Sequence, residues 1–324
     1  MAVAEATPQP PGSGPSNDKT FAAKKPRLHS GLAGRFPFKT APQALSTNRN
    51  EVVFDTHRAS GRSLVMKGRD AKFKPESDAP SGGDLWIRDA SGNDRLVDPS
   101  VYHARFSPDG TKIAYATSDC VMRVEDLQGK RLFEVPRAYE PTWSPDGKTI
   151  AFADVPEGRE VHQPGTTRLA LCDSASGKIN GYLTDGKFDD GRPEFSPTGD
   201  QIVFVSGGRS GIASFWMIPT KGGEPQQITN VGLETSHTPE FVPTPYHPPT
   251  WSPDRHSLAY DFKSGTTEQV YVLQFRYDGN FDFTLLIGNG LSPKWESDGT
   301  LSYQQQSAPD VATSPQQNNP GANN

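Results

Sequence analysis

The chain has 324 residues, with 33 Lys and Arg against 38 Asp and Glu and a net charge of -5. That acidic balance argues against a general nucleic-acid binder, which would show a basic footprint. The length suits one large all-β domain and leaves little for a second, and no apolar run approaches the ~18 residues of a membrane-spanning helix.

Hydrophobic residues make up 33% of the chain and mean hydropathy is -0.65, low for a globular protein. The ends account for much of this: 1–20 is rich in Pro, Gly and Ala, and 307–324 holds almost nothing that could be buried. Segments 1–33 and 307–324 are therefore expected to be disordered. The start lacks the basic and apolar stretches of a signal peptide. Ala2-Val3-Ala4 before Glu5 nevertheless resembles the end of a cleaved leader, so a periplasmic or secreted location is expected.

From residue 34 to 306 one phrase recurs. It reads Phe106-Ser-Pro-Asp-Gly-Thr-Lys-Ile-Ala-Tyr115, Trp143-Ser-Pro-Asp-Gly-Lys-Thr-Ile-Ala-Phe152, Phe195-Ser-Pro-Thr-Gly-Asp-Gln-Ile-Val-Phe204 and Trp251-Ser-Pro-Asp-Arg-His-Ser-Leu-Ala-Tyr260. Weaker copies sit at Leu45–Phe54 and Trp295–Tyr303, giving starts at 45, 106, 143, 195, 251 and 295. A period of roughly fifty residues marks a repeat architecture. Each phrase reads as a hairpin: an aromatic or Leu ends one strand, Pro presets φ for the turn, Gly accepts the left-handed conformation, and an aliphatic run begins the next strand.

Third strands are expected at 85–87, 121–124, 168–171, 215–218 and 270–273, and fourth strands at 95–97, 131–133, 181–183, 227–229 and 283–286. Four strands in each of six units predict an all-β, six-bladed β-propeller of four-stranded antiparallel blades. The last phrase leaves only two strands before the tail, so the N-terminus should supply another, with Gly34–Thr40 the candidate.

The phrase Pro141-Thr-Trp-Ser-Pro-Asp-Gly147 with Ile150-Ala-Phe152, and its cognates, resembles the TolB-like or PD40 (WD40-like) propellers over about residues 34–306. The resemblance implies the propeller alone, without the α/β domain that precedes it in TolB. It implies little about function, because such folds host unrelated activities.

In an up-and-down blade the second-to-third loops and the blade-to-blade loops share one face. The long insertions 57–83, 155–166, 207–213 and 231–247 all fall there, which makes it the expected binding face. The residue three before each motif aromatic should lie at the channel mouth, which nominates His103, Glu140 and Arg192, with His247 for the fifth blade. His57, His162 and His237 are expected on the same face.

Phe241 and Tyr246 in the Pro-rich segment 239–247, and Lys67 and Lys72 in the first insertion, are the loop-face candidates. The basic cluster Arg58, Arg62, Lys67, Arg69, Lys72 and Lys74 is diluted by Asp70, Glu76 and Asp78 and reads as a solvated loop.

Two histidines and a carboxylate suit a divalent ion, so His103, Glu140 and His247 are the metal candidates. Related oligogalacturonate lyases hold a metal through channel histidines, yet a full set of three His and a Gln does not align here, and no cofactor is expected. Asp109, Asp146 and Asp254 read as turn formers, and no Gly-x-Ser-x-Gly elbow occurs. Cys120 and Cys172 could be paired or free.

The leading expectation is a monomeric, non-catalytic propeller that binds a protein or peptide partner through its long-loop face, in the bacterial envelope. The alternative is a metal-dependent carbohydrate lyase or hydrolase acting at the channel mouth.

Overall fold

The computed structural model describes residues 43–46, 51–68, 83–160, 167–210, 214–228, 249–264, 267–275, 281–296 and 298–305. All belong to the second of two units into which the chain divides, 36–324. Apart from one 3-10 turn at Arg58–Ser60, the described regular structure is β. Among these residues no helix is long and apolar enough to cross a membrane.

β1 (Gln43–Ser46) precedes a first antiparallel meander of β2 (Glu51–His57), β3 (Arg62–Lys67), β4 (Gly83–Arg88) and the first half of β5 (Asp94–Phe106). The second half of β5 opens a second meander with β6 (Lys112–Thr117), β7 (Val121–Asp126) and β8 (Arg131–Pro136). The third is β9 (Ala138–Trp143), β10 (Thr149–Asp154), β11 (Arg168–Asp173) and β12 (Ile179–Tyr182). The fourth is β13 (Asp190–Phe195), β14 (Gln201–Ser206), β15 (Ser214–Pro219) and β16 (Gln226–Gln227).

A fifth runs through β17 (Thr250–Trp251), β18 (Ser257–Ser264), β19 (Thr267–Phe275) and the first part of β20 (Phe281–Trp295). The rest of β20 pairs with β21 (Leu301–Gln305). β1 then lies beside β21 in parallel, Gln43 opposite Ser302, so an N-terminal strand does join the last meander. It is 43–46; the expected segment 34–40 lies outside the described residues.

The first copy of the phrase needs correction. Residues 51–57 form the innermost strand of the first meander rather than its second, and 62–67, expected to be insertion, is the second strand. The true cognate is His57-Arg-Ala-Ser-Gly61, which starts at 57. Its turn amide bonds Gly61 N to Arg58 O, as Gly110 N bonds Ser107 O, with equivalent bonds at Gly147, Gly199, Arg255 and Gly299 spanning 2.8 to 3.1 Å. All six closing residues have φ between 63° and 85°, a region that costs non-glycine residues energy. The motif Asp braces the turn from within: Asp109 accepts from Ser107 Oγ at 2.6 Å and from the Thr111 amide at 3.0 Å. Where Thr198 replaces it, Asp200 accepts from Ser196 Oγ at 2.8 Å.

The core lies between consecutive meanders. Leu64, Leu85 and Ile87 of the first pack on Phe106, Ile113 and Tyr115 of the second, and Ala114, Met122 and Val124 on Trp143, Ile150 and Phe152. Three further clusters join third to fourth, fourth to fifth, and fifth to last. The second to fifth meanders therefore bury both faces, which is why strands such as β6 and β10 read as continuous apolar runs rather than alternating ones.

Candidate functional site

The two ends of the meanders differ. At the turn end every connection spans six residues or fewer, whereas the other end carries 68–82, 155–167, 207–213 and 228–249 between strands. The first insertion is thus 68–82, not 57–83. His57 belongs to the turn end, where Nδ1 lies 2.9 Å from Ser60 Oγ and the ring covers Gly110 so closely that a Cβ there would lie 2.2 Å from it.

Among the described residues five innermost strands bulge, three of them at or beside His103, Glu140 and Arg192, which the sequence nominated. The register slips around Phe54, Tyr102, residues 140–141, 192–193 and 292–293. Glu140, Arg192 and Ser292, all three before a motif aromatic, have φ of 50°, 52° and 51°. A bulge frees a backbone amide from the ladder, and an acidic side chain on a neighbouring meander takes it. Arg192 N donates to Glu140 Oε2 at 2.6 Å, and Ser292 N to Asp261 Oδ2 at 2.9 Å. Gly191 leaves room for the first contact, since a Cβ there would lie 2.9 Å from Glu140 Oε2.

A second set was missed by counting three back. The residue directly before the aromatic is polar in all six phrases: Thr56, Arg105, Thr142, Glu194, Thr250 and Lys294. Arg105 Nη2 lies 3.3 Å from Glu194 Oε2, linking the second meander to the fourth, while Thr142 Oγ1 of the third donates to the same oxygen at 3.1 Å. Lys294 Nζ reaches Asp55 Oδ1 at 2.7 Å. Asp55 Oδ2 in turn accepts from the Phe106 amide at 3.0 Å.

Burial works to raise the Asp55 carboxyl, but the charges of Lys294 and Arg105, with hydrogen bonds from Lys294 and the Phe106 amide, hold it at about 2. Glu194 and Glu140 go the other way. Burial raises both, against the opposing pull of Arg105 and Thr142 on the first and Arg192 on the second.

Of the residues expected at the mouth, the structure brings Glu140 and Arg192 together, with Arg192 Nε 3.6 Å from Glu140 Oε1. His103 is 2% exposed, its ring 6.2 Å from that of Phe54. His247, Phe241, Tyr246, Lys72, His162 and His237 lie outside the described residues. Lys67 is not a loop residue: it ends β3, pairs with Asp94 and with Glu51 at 3.9 Å, and sits 4.7 Å over the Trp86 ring. Arg58 and Arg62 likewise stand in a turn and a strand. Among the described residues no three His, Cys, Asp or Glu side chains are grouped to hold a metal ion. Cys120 and Cys172 are both buried and are not joined in a disulfide.

A cavity of about 290 Å³ opens at the turn end, lined by Ser144, Asp146, Thr149, Phe195, Thr198 and Thr220 among others. Its polar walls are largely spoken for. Ser144 Oγ donates to Asp146, Thr220 Oγ1 to the Asp200 carbonyl, and Thr198 Oγ1 accepts from Arg255 at 3.0 Å. The insertion end, with its long segments and its facing acids and arginines, is the stronger candidate for a binding surface.

No family model matches the chain, and no curated protein matches it in sequence. Among solved structures it is similar to a protein assigned as TolB from Agrobacterium tumefaciens, with a TM-score of 0.56 and 17% identity over 78% of this chain and 88% of that one. It is also similar to TolB from Acinetobacter baumannii at a TM-score of 0.43 and 18% identity, over 76% of this chain and 66% of that one. At such identity the first of these likenesses extends to the fold alone: this chain carries a TolB-like β-propeller.

Proposed function

We propose that the six meanders are the blades of a closed six-bladed propeller, and that the protein is a non-catalytic module holding a protein or peptide partner on its insertion face. The observation that carries this reading is the asymmetry of the two ends. Short hydrogen-bonded turns close one end, while every long connection stands at the other. The charged side chains at the centre support binding over catalysis, because Glu140, Arg192, Glu194 and Arg105 already engage one another. A bacterial envelope location fits the likeness to TolB structures.

Replacing 239–247 by a short Gly-Ser linker tests the reading. Partner capture from an envelope fraction should be lost while the melting temperature stays, and Lys148→Glu at the turn end, where the side chain is 82% exposed, should leave capture intact. Capture that survives the replacement but fails with Lys148→Glu would place the surface at the wrong end.

A further inference from the structure

Asp190 opens β13 at the insertion end, and its side chain is fully buried. Two donors of Arg209 reach it, Nε to Oδ1 at 3.0 Å and Nη2 to Oδ2 at 2.7 Å, in the paired geometry that makes guanidinium–carboxylate contacts strong. The guanidinium carbon also lies 4.7 Å from the Phe188 ring centre and 5.8 Å from those of Phe204 and Trp216. A buried carboxylate walled by aromatic rings is the chemistry that recognises a guanidinium or an ammonium group.

The cation that fills this cage does not come from a strand. Arg209 follows Gly207-Gly208, after β14 ends at Ser206, and Gly207 is tied back through its amide to Asp189 O at 3.0 Å. The neighbouring insertion is secured differently, by Arg137 donating to the carbonyls of Val155 and Pro156 at 2.9 and 2.8 Å. Backbone carbonyls suffice there to hold the segment. Around Arg209 the contacts instead select for a flat, delocalised cation.

We infer that the Asp190 cage is a binding site for an arginine side chain of the partner, and that Arg209 occupies it in the unbound protein. This rests on the insertion face being a binding surface. An incoming guanidinium must displace Arg209, so the wild-type affinity is lowered by the small fraction of molecules with an open cage, and removing Arg209 removes that handicap.

The probe is Nα-acetyl-arginine methylamide, followed by calorimetry. Arg209→Ala should bind it at least ~tenfold more tightly than wild type, and Asp190→Asn in that background should abolish binding. In wild type, saturating probe should raise amide hydrogen exchange across Gly207–Ser210, and the glutamate analogue should do nothing. If Arg209→Ala does not fold, Arg209→Met keeps the stem against the rings and serves the same comparison. A folded variant with no saturable binding, binding indifferent to Asp190→Asn, or wild-type exchange unmoved by the probe would make Arg209 a brace and nothing more. Loss of capture on replacing 239–247, alongside any of those outcomes, would remove the cage and leave the binding module standing.

Discussion

Lys294 Nζ donates to Asp55 Oδ1 at 2.7 Å, joining the last innermost strand to the first across 239 residues of sequence. Consecutive meanders meet through apolar clusters. This seam carries charge contacts: Arg58 Nε also lies 2.5 Å from Glu296 Oε2. Asp55→Asn and Lys294→Met should therefore be non-additive. Because Lys294 is about a third exposed, solvent weakens the pair, and a coupling of about 1–2 kcal/mol is expected from a double-mutant cycle in urea. Strict additivity would mean that the seam does not depend on this contact.

The same carboxyl sets an acid limb for stability. Asp55 is held below its ordinary value of 3.8, so its contribution is complete above 3.8 and lost as pH falls through about 2. Glu140 and Glu194 are raised above 4.5, so the stability linked to them is complete below 4.5 and lost as pH rises through their folded values. Denaturation midpoints measured from pH 7 to 2 should show Asp55→Asn converging on wild type at the acid extreme. Glu194→Gln should flatten the change above 4.5. Curves for Asp55→Asn and wild type that stay parallel to pH 2 would contradict the assignment.

The repeat was legible because four copies keep both the aromatic and the turn. The first copy was misread because His57-Arg-Ala-Ser-Gly61 retains only the ring and the glycine, while Leu45–Phe54 mimics the pattern across strands of two different meanders, β1 pairing with β21 and β2 with β3. The position three before the aromatic did prove special, as a bulge whose freed amides bind Glu140 and Asp261. The Lys294–Asp55 and Arg105–Glu194 pairs were hidden for a different reason. They depend on which meanders face each other, and no local spacing encodes that.

Trp143 is 7% exposed within the cluster shared by the second and third meanders. Trp143→Ala should cost about 3–5 kcal/mol, as loss of a buried large aromatic does. Trp251, half-buried and stacked on Phe275 at 5.3 Å, should cost less. Lys148→Ala should stay within about 0.5 kcal/mol, as exposed positions do. Denaturant titrations in which Trp143→Ala unfolds like the parent would remove the packing assignment.

Arg255 holds φ at 63° where five of the six turns have glycine. Arg255→Gly relieves that strain at the cost of backbone entropy and of the exposed bond to Thr198, for a net gain of about 0.5–1 kcal/mol. A loss of stability instead would show that the Thr198 contact outweighs the strain.

A chelator should leave the melting temperature unchanged. Glu140 already receives the Arg192 amide at 2.6 Å and faces its guanidinium, so an ion there would sit beside a like charge. His103 is buried with its ring toward Phe54, and turning it to a ligand position would cost packing. Imidazole ligands also release metal as they protonate, so a bound ion would make stability fall with pH through about 6–7. Melts with and without chelator at pH 7.5 and 5.5 check both points. A drop on chelation, reversed by one divalent ion and absent in His103→Ala, would establish a metal site in the channel.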